Sequence, residues 1–173
     1  MLHGLGDHSG SYKHIVNHVV PQGFSVYSFD LRGHGRSQGE KGHVNDWNEF
    51  REDLRLFINV VKKEENVKKV FLAGFDLGGL VALDYSIRYK AGIQGVVALS
   101  PLLVPLNNTG SLAFLDEFIV GLWPSFGAES QVNLNQQSRD EESLSDLRND
   151  PLQHNAATVK LHSEVKTTST LYR

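Results

Sequence analysis

The chain has 173 residues, 40% of them hydrophobic and 21% charged, with a net charge of −3 and no cysteine. That length is about one domain with enough apolar material for a core, which excludes intrinsic disorder and small stapled scaffolds. The missing cysteines remove disulfides, thiolate zinc sites and a thiol nucleophile, and the acidic balance excludes a nucleic-acid partner, which needs a basic face.

The opening, MLHGLG, has neither the basic nor the apolar region of a signal peptide, and no stretch approaches the roughly 18 apolar residues of a membrane span. A cytoplasmic protein is expected. The first loop, His3-Gly4-Leu5-Gly6-Asp7-His8-Ser9, sits where a strand would end. Residues 12–20 have helical period through Ile15, Val19 and Val20 and stop at Pro21-Gln22-Gly23. Residues 24–29 (FSVYSF) read as a strand ending at Asp30.

A second glycine-rich loop follows, Asp30-Leu31-Arg32-Gly33-His34-Gly35-Arg36-Ser37, whose charges are expected to hold the loop by hydrogen bonds. Residues 46–61 form the clearest helix. Asp46 and Glu49 have capping-box spacing, and Trp47, Phe50, Leu54, Phe57, Ile58 and Val61 trace one stripe. Residues 69–75 (KVFLAGF) read as a strand buried on both faces, 79–89 as an apolar helix, and 95–100 (GVVALS) as a third strand closed by Pro101. Strands alternating with helices predict βαβ units and a parallel sheet.

Beyond Pro105 the strand signal stops. Residues 106–173 carry 9 acidic and 5 basic residues, with helical pieces expected at 111–122, 139–147 and 155–167. The chain is therefore divided into a core, 1–105, and a helical lid or cap, 106–173. A helical flank of the same core reads nearly as well. The apolar residues Leu112, Phe114, Leu115, Phe118, Ile119, Leu122 and Trp123 could meet a lipid surface transiently or pack on the core.

The most specific feature is Gly74-Phe75-Asp76-Leu77-Gly78-Gly79, which follows a buried strand and opens an apolar helix. A sharp strand-to-helix turn of this kind lifts one side chain above the sheet, beside the N–H groups of a helix N-terminus. A simple helix-packing turn is the alternative. No Gly-Lys-Ser/Thr follows, so a P-loop is excluded, and the glycine spacing does not fit a dinucleotide fingerprint. His14 and His18 stand four apart, but no third ligand accompanies them. No metal and no cofactor is expected.

Together these pieces resemble the α/β-hydrolase superfamily, in its monoacylglycerol lipase and lysophospholipase branch, also labelled serine aminopeptidase-like. The matching stretches are HGLGDHSGSY at 3–12, DLRGHGRS at 30–37, GEKGHVNDW at 39–47, the turn at 74–79, ALSPLL at 98–103 and, more loosely, NDP at 149–151. The resemblance implies an α/β-hydrolase fold, a parallel sheet with flanking helices and a helical lid. It implies a carboxylic-ester hydrolase acting on a small lipid or ester substrate, with residue 76 as nucleophile and the N–H groups of Leu5 and Leu77 forming the oxyanion hole.

Two departures follow. The family carries Ser where this chain has Asp76. A carboxylate attacking an ester gives an anhydride whose leaving group is harder to expel than the attacking carboxylate, so the chain is expected to be inactive as it stands. Epoxide hydrolases and haloalkane dehalogenases use Asp at this position, but with Pro after the His-Gly pair and, in many, Trp beside the nucleophile. This chain has Leu5-Gly6 and Leu77 there. A lipase-type fold with a replaced nucleophile, engineered or a natural non-catalytic binding relative, ranks ahead of an Asp-nucleophile enzyme.

The second departure concerns the triad partners. His3, His8 and His34 belong to loop motifs, His43, His154 and His162 read as surface residues, and Asp150 reads as a turn. The general base and acid are therefore expected outside an incomplete fragment.

Overall fold

A computed structural model of the chain describes residues 1–103, 120–129 and 140–172. A 3-10 turn, Ser9–Tyr12, leads into α1, Lys13–Val19, which runs out through a second 3-10 turn to Gly23 at φ +89°. That left-handed residue ends the helix, as glycine does most readily. Helix α2, Asn48–Glu64, buries Phe50, Leu54 and Ile58 on the expected stripe. Its start differs from the expected box. Asp46 accepts the Asn48 N–H at 2.7 Å, but the Glu49 carboxylate reaches back to the N–H of Asn45, 3.1 Å away, one residue earlier than predicted.

Strands β1, Val70–Phe75, and β2, Ile93–Leu99, are parallel, with Leu72 opposite Val96 and Phe75 opposite Leu99. Helix α3, Asp76–Arg88, makes the crossover between them. On the other side of β1, Leu2 forms a parallel bridge with Gly74. The Leu2 N–H donates to the Ala73 carbonyl at 2.8 Å, and the Phe75 N–H to the Leu2 carbonyl at 3.1 Å.

Residues 24–29 form no strand, contrary to expectation. One bond reaches them from the first residue: the Met1 amino group donates to the Tyr27 carbonyl at 2.6 Å.

Strand β1 also departs from the expected burial on both faces. Leu72 is buried, but Phe71 is 63% and Phe75 40% exposed. By the two-residue period these share a face with Val97 and Leu99 of β2, also exposed. The described helices leave that face in solvent. The opposite face carries the core, in which Leu72 shares one cluster with Phe50, Leu54, Leu80 and Val81. Each such side chain contributes about 1.5–3 kcal/mol when fully buried.

Beyond residue 105 the structure adds two short strands that sequence patterning did not predict. β3, Gly127–Glu129, pairs antiparallel with β4, Ala156–Thr158. Helix α4, Glu141–Asn149, lies between them in sequence, and α5, Val159–Thr170, follows β4. The Thr158 hydroxyl caps α5 by accepting the Leu161 N–H at 3.2 Å. Leu161 and Val165 join the same core cluster as Phe50. Of the expected helix at 111–122, only 120–122 are described, as helix, and Leu112, Phe114, Leu115, Phe118 and Ile119 lie outside the described residues. No helix among the described residues is long and apolar enough to cross a membrane.

Candidate active site

The turn between β1 and α3 holds Phe75 in extended geometry and Asp76 at φ +50°, the left-handed region that L side chains seldom adopt. The surrounding backbone explains why the flanking residues are glycines. A Cβ on Gly74 would stand 2.3 Å from the Gly78 carbonyl oxygen, and one on Gly78 would stand 2.4 Å from that of His3. Gly78 donates its own N–H to that His3 carbonyl at 3.0 Å, so the first loop is tied to the head of α3.

The Asp76 side chain lies against this first loop. Its Oδ2 accepts the Leu5 N–H at 2.9 Å, and the Leu77 N–H likewise favours its charged form. Burial prevails over both and holds its carboxyl above the usual range, with the Asp7 charge acting in the same direction. The side chains of Leu5 and Leu77 are packed in the core, so only their backbone groups face the carboxylate. Among the described residues no imidazole hydrogen-bonds to Asp76.

The histidines act mainly as braces. His3 donates from Nδ1 to the Gly4 carbonyl at 2.8 Å and accepts the Leu31 N–H at Nε2, also 2.8 Å; burial holds it below the ordinary imidazole value. His34 lies between His3 and His154, with ring centroids 5.2 and 4.8 Å away. Burial, with His3 adding to it, lowers His34 to about 3. Its Nε2 is buried without a hydrogen-bond partner among the described residues.

The expected surface placement of His154 is corrected. It is half-buried, donating from Nε2 to the Gly33 carbonyl at 3.1 Å. His43 is also half-buried, 2.9 Å from the Thr158 hydroxyl, and His162 is half-buried on α5. His14 and His18 are exposed, as expected. With five of the six nitrogens in the His3–His34–His154 stack engaged, the stack leaves one lone pair, short of the three or four ligands of a zinc site.

The second loop behaves as its charges predict. Asp30 accepts the N–H groups of Ser9 and Arg36, each at 2.8 Å, and joins the two glycine loops. Burial raises its carboxyl, but those bonds outweigh it and leave it below the usual value. Arg32 forks onto Asp53 at 2.7 and 2.8 Å and pairs with Glu49 at 2.8 Å. A cleft of about 620 Å³ lies between this loop and α2, and another of about 400 Å³ lies beneath α1 and β1. Neither is lined by Asp76.

Two further carboxylates carry more than their local sequence suggested. Asp150 does form the expected turn, accepting the Leu152 N–H at 2.9 Å, but its other oxygen meets His8 Nε2 at 2.8 Å. No local pattern could have found a partner 142 residues away. Asp84 is fully buried on α3. It accepts from Trp47 Nε1 at 3.0 Å, Arg51 Nε at 2.5 Å, Arg88 Nε at 2.8 Å and the Tyr172 hydroxyl. Burial alone would raise it, but these donors hold it below the usual range. Its signal was available: a carboxylate four residues after Leu80, on the apolar face of a helix.

A family profile described as serine aminopeptidase, S33, matches residues 1–170. An uncharacterized abhydrolase domain-containing protein of Dictyostelium discoideum is 32% identical over 92% of the chain and 17% of its own length. A monoacylglycerol lipase of Mycolicibacterium smegmatis is 28% identical over 89% of the chain and 55% of its own length. The crystal structure of Paleococcus ferrophilus monoacylglycerol lipase superposes with a TM-score of 0.86 and 31% identity, over 98% of this chain and 64% of that one. The chain thus spans less than two thirds of each of these proteins' lengths.

Proposed function

Because the chain belongs to the serine aminopeptidase S33 family of α/β-hydrolases, we propose that it carries an acyl-ester hydrolase site of the monoacylglycerol lipase type with its nucleophile replaced. In this reading residue 76 stands at the nucleophile position, and the Leu5 and Leu77 N–H groups are the pair that would stabilise an oxyanion. One observation carries it: Asp76, at φ +50° on the β1–α3 turn, places Oδ2 2.9 Å from the Leu5 nitrogen. In this reading the carboxylate occupies the position an oxyanion would take, which blocks ester turnover and leaves binding of small lipid esters or their acyl chains as the role of the chain as it stands. Within the segment 106–173 read as a lid, α5 packs into the core, so the lid role falls to the part before it, and the exposed Leu122 and Trp123 support its brief contact with a lipid surface.

A second reading is favoured by the same hydrogen bond. With Oδ2 held, Oδ1 could displace at saturated carbon. It would form an alkyl ester as an epoxide C–O bond opens and its oxygen takes a proton, or as a halide leaves, and water would then cleave the ester.

Three measurements separate these readings. The parent chain is expected not to hydrolyse p-nitrophenyl esters, since no general base meets residue 76 among the described residues. Parent turnover that disappears in Asp76→Asn overturns the first reading. A mass adduct on Asp76 after treatment with an epoxide or haloalkane establishes the second.

A further inference from the structure

We propose that residues 149–154 clamp the first glycine loop and so set the position of the Leu5 N–H group, with His8 and Asp150 as the positioning pair. The inference rests on the reading of Leu5 as the donor that faces residue 76. It concerns what holds that donor in place.

Leu5 stands between Gly4 and Gly6. Glycine loses more backbone freedom on ordering than any other residue, so a donor flanked by two of them needs an external constraint. On its N-terminal side the constraint is His3, bonded to Gly4 and Leu31. On its C-terminal side each of the next three residues is bonded to the distant segment. The Gly6 carbonyl accepts the His154 N–H at 2.9 Å. Asp7 Oδ1 accepts from Gln153 Nε2 at 3.4 Å. His8 Nε2 meets Asp150 Oδ2 at 2.8 Å.

The tautomer of His8 follows from its other nitrogen. Gly10 donates its N–H to Nδ1 at 3.1 Å, so Nε2 carries the proton directed at Asp150, and a neutral imidazole suffices. His8 is 7% exposed, so its side of the pair is shielded from water, while the Asp150 side chain is 30% exposed. Asp7 and Asp30 also face it, each engaged by backbone N–H groups of the same loop.

The backbone contact at Gly6 is close. Gly6 adopts φ +74°, and a Cβ there would stand 2.0 Å from the His154 carbonyl oxygen. The clamp is anchored on its far side as well. His154 bonds the Gly33 carbonyl and accepts the Ala156 N–H at the head of β4. The donor aimed at Asp76 is thus held from the opposite end of the chain.

The test is amide hydrogen exchange at Leu5 in the isotopically labelled 173-residue chain, with the Asp76 carboxyl titrated by carbon NMR. Asp150→Ala is expected to speed Leu5 exchange at least tenfold while Leu80, in the core, is unchanged. The Asp76 titration should move upward, because a carboxylate that loses an N–H partner ionises less readily. Asp150→Asn keeps an oxygen for His8 and is expected to speed exchange about threefold. Leu5 exchange that stays at the parent rate, or rises only in step with Leu80, overturns the clamp. If the alanine variant does not fold, Asp150→Asn alone decides by the same criterion. Neither readout uses ester chemistry, so failure of the hydrolase reading leaves this result standing, and the converse also holds.

Discussion

The Leu5 N–H donates to Oδ2 of Asp76 across 2.9 Å, joining two residues 71 positions apart in sequence. That bond favours the ionised carboxyl, yet burial prevails and the group titrates above its ordinary value. The folded chain therefore holds the Asp76 proton more tightly than the unfolded one, and this contribution is lost as pH rises through the raised value. Asp76→Asn, whose amide oxygen can still accept the Leu5 N–H, is expected to have a higher thermal midpoint than the parent at pH 7. The difference should disappear on acidification below about 4, near the unfolded value, where Asp76 is protonated in both states. A midpoint gap that widens on acidification would contradict this account of the site.

The turn's glycines make a steric prediction. Gly78→Ala sets a Cβ against the His3 carbonyl and Leu2, both backbone or core atoms that cannot move aside. A loss of at least about 2 kcal/mol in urea unfolding is expected, with the slope unchanged. Gly127→Ala, with no atom of the described residues within 4 Å of the new methyl, should stay within about 0.5 kcal/mol of the parent.

Asp84 ties α2, α3 and the end of α5 together through Trp47, Arg51, Arg88 and Tyr172. Asp84→Ala is expected to cost about 3 kcal/mol, at the lower end for a broken buried pair because Arg88 is 42% exposed and can rehydrate. The folded-state value is depressed, so this stability is present above the unfolded value near 3.8 and is lost as pH falls through the folded one. The gap between parent and variant should narrow below pH 4. A gap independent of pH would mean that the loss is one of packing.

Trp47 is buried, but Trp123 is 67% and Leu122 72% exposed. The double change Leu122→Ser and Trp123→Ser should leave thermal stability nearly unchanged and lower co-sedimentation with phosphatidylcholine vesicles several-fold. Equal sedimentation of the two proteins would remove the lipid-surface contact from the functional reading.

Local order made parts of this architecture legible. The apolar run before Gly74 and the helical stripe after Gly79 lie on either side of a turn built from neighbours in sequence. The stripe from Trp47 to Ile58 likewise needs only a 3.6-residue period. Residues 24–29 have the composition of a strand yet form none, because a ladder depends on a partner that composition cannot supply. β3 and β4 span three residues each and pair across a long separation, so no periodicity announces them.

The sequence by itself determined the β1–α3 turn, the glycines it requires and the loop that faces it, because those depend on backbone geometry over a few residues. Only the tertiary structure decided that the Asp76 carboxylate rests on the Leu5 N–H, that His8 meets Asp150, and that Asp84 gathers four donors. Each of these joins elements whose approach is set by core packing and the burial of charge. Such energies belong to the folded chain and to no local stretch of it.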